Sequence, residues 1–252
     1  VSDHFFIAGQ GQYLVMDFVE GKSLDLLLAE RGGPLDEAAA LGWIGQVCDA
    51  LEYLHSRTPP VIHRDIKPPN IIITADGRAM LVDFGLSKAY SPSMTTTRGA
   101  RAVTPGYSPP EQYGIRGTDA RSDIYALGAT LYTLLTTKIP PESVGMISGS
   151  QAFISVRQLN PSISVATDGA ITAAMALDVD QRIGSAAALR NALAGGPPSM
   201  PFTSMISSPA PLIPLPKRKR STIWLPVLGL LALLVIALVV WVNLSSLAVG
   251  PT

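Results

Sequence analysis

The chain lacks the parts on which several common functions depend. One cysteine, Cys48, and three histidines occur in 252 residues. That count excludes a disulfide framework and any zinc-ligand spacing. Cys48 falls within an apolar helical pattern and reads as a small buried hydrophobe. Basic and acidic side chains balance at 19 each, so no global field points to nucleic acid, and nucleic acid is not expected as a partner. Charged residues make up only 15% of the chain, and the apolar excess this leaves collects toward the C-terminal end. The first residues have neither a basic start nor a continuous apolar core, so no secretory signal is expected. Val1 is not an initiator methionine and a strand-like pattern begins almost at once. The expectation is a partial sequence that opens inside a domain.

What is present is concentrated in one stretch, His63-Arg64-Asp65-Ile66-Lys67-Pro68-Pro69-Asn70, with Asp83-Phe84-Gly85 beyond it. The interval from Ile71 to Val82 consists of two apolar runs around Asp76-Gly77, a strong hairpin signal. A two-residue turn at Asp76-Gly77 pairs Asn70 with Asp83 at the open end of the hairpin, with Asp65 and Lys67 just upstream. Amide and carboxylate oxygens suit Mg²⁺, a cation that also takes phosphate oxygens. Asp65 is then left to act on a nucleophile.

These residues, as H-R-D-x-K-x-x-N and D-F-G, resemble the catalytic and metal-binding loops of eukaryotic-type protein kinases. Lys67, two residues after Asp65, is the pattern of Ser/Thr rather than Tyr kinases. The resemblance implies ATP and Mg²⁺ (with Mn²⁺ as a substitute) as cofactors and protein Ser/Thr hydroxyls as substrates. By the same resemblance, Asp65 orients the substrate hydroxyl and accepts its proton, and Lys67 neutralises the transferring phosphoryl group. Asn70 and Asp83 hold the metal, and His63 packs structurally.

Phe5 to Ala8 and Tyr13 to Val19 read as two strands around a Gly9-Gln10-Gly11-Gln12 turn. Gly9-x-Gly11 has no third glycine and no helix after it, which argues against a phosphate loop. In kinases the matching segment ends the small lobe and leads into the hinge. Met16 would guard the back of the adenine pocket, and backbone groups of Asp17 and Val19 would meet the adenine edge. Ser23 to Leu28 reads as a short capped helix stopped by Gly32-Gly33-Pro34. From Leu35 to Ser56, Leu41, Ile44, Val47, Leu51 and Leu54 recur at helical spacing.

Ser91 to Pro105 is rich in Ser, Thr and Gly and reads as a loop. In the resemblance it carries regulatory phosphorylation at Thr95, Thr96 or Thr97, with Arg64 receiving the phosphate. Thr104 matches the threonine that supports the catalytic Asp and Lys. Glu111 in Ser108-Pro109-Pro110-Glu111 would pair with Arg182. Ser122 to Thr136 matches the central helix of the large lobe, with Asp123 bracing the catalytic loop. Asp168–Leu177 and Ser185–Leu193 read as closing helices, whereas Lys138 to Pro161 is poor in helix signals.

Gly195 to Pro216 is Pro- and Ser-rich, an extended linker. Lys217-Arg218-Lys219-Arg220 then precedes an apolar run from Ile223 to Val242. As a helix that run is about 30 Å long and spans a bilayer core. Trp224 and Trp241 stand at its ends, where an aromatic belt belongs. The basic flank places the preceding domain in the cytoplasm and adds membrane lipid as a partner.

The resulting fold class is α+β: a protein-kinase-like fold, mostly the helical large lobe with the last strands of the small lobe, plus one C-terminal transmembrane helix. The expected division is a partial kinase domain at 1–194, a linker and basic juxtamembrane segment at 195–222, a span at 223–242 and a short extracytoplasmic tail at 243–252. Together these features resemble the membrane-anchored Ser/Thr kinases of bacteria, single-pass in the cell membrane, with a homodimer as the arrangement for trans-phosphorylation. No Gly-rich loop, strand lysine or partner helix glutamate precedes the matched region. Those parts position ATP, so the expectation is that phosphoryl transfer belongs to the intact protein and that this chain alone transfers poorly or not at all; the alternative is a catalytically inactive, membrane-tethered large-lobe remnant that binds partners.

Overall fold

A computed structural model describes residues 3–7, 11–83, 88–89, 103–114 and 117–196. All of them belong to the first of two compact units, Val1–Met205 and Ile206–Thr252. The linker, the basic cluster and the run 223–242 mostly or wholly lie outside the described residues, as do Phe84, Gly85 and Thr95 to Thr97. Among the described residues no helix is long and apolar enough to cross a membrane.

Strands β1 (Asp3–Ile7) and β2 (Gly11–Val15) form an antiparallel hairpin in which Phe5 faces Tyr13 and Ile7 faces Gly11. The second strand is thus entered at Gly11, two residues earlier than the sequence pattern suggested, and Phe5 stacks on Tyr13 with ring centroids 5.3 Å apart. An extended segment leads from β2 to β3 (Lys22–Ser23). Strand β3 pairs with a later strand, β5 (Ile71–Ile73), through Lys22 to Ile73 and Ser23 to Ile72. Gly21 permits that approach: a Cβ there would lie 2.4 Å from the Ile73 carbonyl oxygen. The extended segment is thereby tied to the strand that begins one residue after Asn70.

Helix α1 (Leu24–Arg31) starts at Ser23, which has cap backbone geometry but no side-chain cap bond, and ends in left-handed Gly32. Helix α2 (Glu37–His55) is capped by Asp36, whose carboxylate accepts the Ala39 N–H at 3.2 Å. Its stripe of Ala40, Ile44, Val47, Cys48 and Leu51 is buried, as the periodicity required. Burial pushes the Cys48 thiol up to about 12, so the group packs as a neutral hydrophobe.

After β4 (Val61–Ile62) come β5 and β6 (Ala79–Leu81); β7 (Lys88–Ala89) pairs with β4. Helix α3 (Pro110–Tyr113) precedes α4 (Ala120–Thr136), which is buried over its whole length from Ser122. A helix buried on every side belongs in a core, and its polar side chains must then find partners. The hydroxyls of Thr130, Thr133 and Thr136 donate to carbonyls one turn back at 2.8, 2.9 and 2.7 Å, so their burial leaves no orphaned groups.

The segment expected to be poor in helix carries α5 (Ser143–Ile147) and α6 (Val156–Leu159), each too short to show a period. Helix α7 spans Val165–Ala174, three residues earlier than its sequence pattern indicated, because the Ser164 hydroxyl caps the Thr167 N–H at 3.2 Å. Helix α8 (Ala186–Leu193) matches its expectation to one residue. The helices share one hydrophobic core around Ile44, Leu51, Ile66, Leu127, Leu131 and Leu189.

Candidate active site

The hairpin after Asn70 forms, but not in the expected register. Ile71 faces Leu81, Ile72 faces Met80 and Ile73 faces Ala79. The Thr74 N–H donates to the Arg78 carbonyl at 3.0 Å and the Gly77 N–H to the Thr74 carbonyl at 2.9 Å. Gly77 has φ +81°, so residues 75–77 form a three-residue loop that ends in a left-handed glycine, rather than a two-residue Asp-Gly turn. The extra loop residue shifts the pairing by one position. Asn70 therefore lies opposite Val82, whose N–H reaches the Asn70 carbonyl at 2.9 Å, and Asp83 follows just past the ladder at φ +63°.

Upstream, β4 delivers the chain to a tightly held turn. The buried Asp123 carboxylate accepts the His63 N–H at 2.9 Å and the Arg64 N–H at 2.8 Å. Arg64 sits at φ +70°, a left-handed conformation that persists only where surroundings over-determine it. Gln112 Nε2 holds the Arg64 carbonyl at 2.9 Å, and Arg64 Nε donates to Thr118 Oγ1 at 2.8 Å. Arg64 and Asp83 thus place two positive-φ non-glycine residues at one site. His63 is a structural histidine, as expected: Nε2–H donates to the Val82 carbonyl at 3.1 Å and Nδ1 accepts the Asp65 N–H at 3.3 Å. Burial pulls its pKa below the ordinary value, which keeps the ring neutral.

Asp65 is the centre of the cluster. Its Oδ1 accepts the Thr104 hydroxyl at 2.8 Å, while Oδ2 takes Asn70 Nδ2 at 3.0 Å and Lys67 Nζ at 2.8 Å. Asn70 Nδ2 also meets the Asp65 carbonyl at 2.7 Å, and Lys67 Nζ reaches Thr104 Oγ1 at 3.4 Å. Ile66, fully buried between them, anchors the loop while Asp65 and Lys67 stay partly open. Thr104 is presented by a turn in which the Tyr107 and Ser108 N–H groups donate to its carbonyl, both at 3.0 Å. Gly106 in that turn has φ +81°, and a Cβ there would meet Ile139 Cγ2 at 2.4 Å.

The oxygens suit a hard cation. Asn70 spends its nitrogen on Asp65, and among the described residues its Oδ1 has no hydrogen-bond partner. Asp83, next to the Val82 that bonds Asn70 across the hairpin, contributes an exposed carboxylate. Among the described residues no group of three His, Cys, Asp or Glu side chains could hold a metal. One amide and one carboxylate still fit Mg²⁺, which binds through one or two protein groups plus phosphates and water.

Met16, Asp17 and Val19 occupy the extended segment after β2, with Met16 exposed and Val19 half-buried. Among the described residues no hydrogen bond joins them to the Asp65 cluster. Glu111 and Arg182 meet as expected, at 2.7 Å, with Ser122 Oγ donating to Glu111 at 2.8 Å. Burial raises the Glu111 pKa, but bonding to Arg182 outweighs it and holds the carboxyl below its ordinary value.

Sequence reasoning missed Gln112, Thr118 and His55, all of which support the loop. Their only sequence signal is a place beside residues already singled out: Gln112 next to Glu111, Thr118 ahead of the α4 cap, and His55 closing α2.

A protein kinase domain profile matches residues 3–192. The chain is 38% identical over 195 residues to the serine/threonine-protein kinase Pkn1 of Myxococcus xanthus, an alignment covering 72% of this chain and 27% of that protein. It is 34% identical over 204 residues to the serine/threonine-protein kinase PknB of Mycobacterium leprae, covering 77% and 32% respectively. The chain thus spans about a third of the length of these curated relatives. Among solved structures, the PknI kinase domain of Mycobacterium tuberculosis superposes with a TM-score of 0.61 at 26% identity, over 77% of this chain and 69% of that one.

Proposed function

Because this chain belongs to the protein kinase family, with its kinase-like mixed fold of helices and sheets, we propose that it carries the catalytic large lobe of a Ser/Thr protein kinase. The observation that carries the reading is the Asp65 carboxylate, held on one oxygen by Thr104 and on the other by Lys67 and Asn70. In the reaction, a substrate serine or threonine Oγ attacks the γ-phosphorus of ATP. The bond to the β–γ bridging oxygen breaks, ADP leaves, and Asp65 orients the hydroxyl and takes its proton.

Lys67 stands beside Asp65 and turns its ammonium to the transferring phosphoryl group, where charge develops. Asn70 Oδ1 and Asp83 would hold Mg²⁺, which when bound would neutralise phosphate charge. Met16, Asp17 and Val19 line the adenine end, and the Gly21 contact with β5 fixes that segment relative to Asn70. Arg64 exchanges its Thr118 contact for a phosphate on Thr95, Thr96 or Thr97, two copies of the chain phosphorylating one another.

The apolar run 223–242 with its basic flank supports a single-pass anchor at the cell membrane. The kinase portion 1–194 would lie on the cytoplasmic side, joined to the span by the linker 195–222, with 243–252 beyond. Incubating the intact protein with γ-labelled ATP, Mg²⁺ and a Ser/Thr-rich acceptor protein tests the reading. Label is expected on serine and threonine and absent from tyrosine. No incorporation would leave the binding-remnant alternative in its place.

A further inference from the structure

Asp65 takes its direction from the peptide unit before it, which joins the Arg64 carbonyl to the Asp65 N–H. Both ends of that unit are held. The Asp65 N–H donates to His63 Nδ1 at 3.3 Å, and the Arg64 carbonyl accepts from Gln112 Nε2 at 2.9 Å. A peptide unit is planar, so holding its oxygen and its hydrogen fixes the direction in which the chain enters Asp65. The unit needs that hold, because Arg64 stands at φ +70°, a conformation that costs energy for a residue with a Cβ.

Gln112 is suited to this task by its place in the fold. Helix α3 is a single turn, too short to hold its shape by its own hydrogen bonds. The preceding residue anchors it: Glu111 takes Arg182 Nη1 at 2.7 Å, Arg182 Nη2 at 3.2 Å and Ser122 Oγ at 2.8 Å. Gln112 reaches the loop instead. A carbonyl only accepts, so the amide nitrogen faces Arg64. Gln112 is only 8% exposed, which keeps water from replacing a lost donor without cost. One short helix thus joins the buried ion pair to the backbone that carries Asp65.

We infer that Gln112 is a positioning residue: through the Arg64 carbonyl it sets the 64–65 peptide plane and thereby the aim of Asp65, and it takes its own place from the Glu111–Arg182 pair. The effect on phosphoryl transfer rests on the kinase reading above; the effect on the peptide plane does not.

The test compares two variants of the intact protein. Gln112→Met fills similar volume without a donor, and Gln112→Glu keeps the shape but turns carboxylate oxygens toward the carbonyl. Hydrogen exchange at the Asp65 amide is followed by NMR, and phosphoryl transfer is measured on the same proteins. In Gln112→Met the Asp65 amide should exchange about tenfold faster than in the wild type, the effect of one lost hydrogen bond. Amides of α8 should be unchanged. Transfer should fall in kcat by a similar factor with KM for ATP unaltered, because Asp65 acts on the substrate hydroxyl. Gln112→Glu should lower kcat further than Gln112→Met, since its oxygens repel the Arg64 carbonyl. Wild-type exchange and kcat in Gln112→Met would show that the side chain only fills space and overturn the assignment. Faster exchange spread evenly over the chain would do the same, as would a kcat loss in Gln112→Glu no larger than in Gln112→Met. Should the wild type transfer no phosphate, the kinase reading falls, and exchange at Asp65 still decides the role of Gln112.

Discussion

Asp65–Lys67 and Glu111–Arg182 are carboxylate–cation pairs of almost equal length, 2.8 and 2.7 Å, yet their surroundings differ in every other respect. The Glu111 and Arg182 side chains are 9% and 0% exposed. Arg182 spends its remaining donors on the carbonyls of Ala176 at 3.1 Å and Arg121 at 2.9 Å, with its guanidinium 5.1 Å from the Tyr125 ring centroid. Nothing there can be exchanged for a ligand without unpairing a buried charge. Asp65 and Lys67 are 12% and 25% exposed and share their donors with a threonine hydroxyl and an asparagine amide. Those partners can trade places with a substrate hydroxyl and phosphate oxygens at little cost. On the proposed reading equal distances accompany opposite uses, with burial and the remaining hydrogen bonds separating the pair that holds the fold from the pair proposed to react.

That contrast can be tested from its stronger side first. Arg182→Met leaves Glu111 charged, buried and unpaired, and should cost about 3–5 kcal/mol in chemical denaturation. A loss comparable to that of an exposed pair would dissolve the distinction. The acid limb of the stability curve gives a second check. Because the Glu111 pKa is depressed in the folded state, its contribution is fully present above the ordinary glutamate value of about 4.3. That contribution is lost as pH falls through the lower folded value. The stability gap between wild type and Glu111→Gln should therefore close on acidification and persist at neutral pH.

On the other pair, Thr104→Val removes the hydroxyl on Asp65 Oδ1; transfer should drop about tenfold, with little change in melting. The smallest effect belongs to Lys22–Glu30, a pair also 2.7 Å long but 56% and 55% exposed. Lys22→Met should change stability by less than about 1 kcal/mol.

Much of this arrangement was legible in the sequence, for physical reasons that vary by element. The apolar stripe of α2 and the predominantly apolar run of α4 are set by burial over many turns, so they dominate local noise. Asp65, Lys67, Asn70 and Thr104 were readable through the resemblance of their motifs to kinase loops, and the structure gathers them within hydrogen-bond reach. The hairpin register was not readable. Asp76-Gly77 suits a two-residue turn, but Gly77 instead takes the left-handed position of a three-residue loop, and that one residue moved Asn70 from Asp83 to Val82. The start of α7 was misplaced because a serine cap outweighed the apolar pattern. His55 and Thr118 went unnoticed because their partners, Asp123 and Arg64, are 68 and 54 residues away in sequence.

The central claim, that Asp65 reacts while Glu111–Arg182 supports, is tested most directly by Asp65→Asn in the intact protein, measured at once for melting and for transfer of labelled phosphate to serine and threonine. The account predicts a melting temperature within a few degrees of wild type and transfer reduced by about 10²–10⁴-fold. Near-wild-type transfer by a folded Asp65→Asn protein would contradict it.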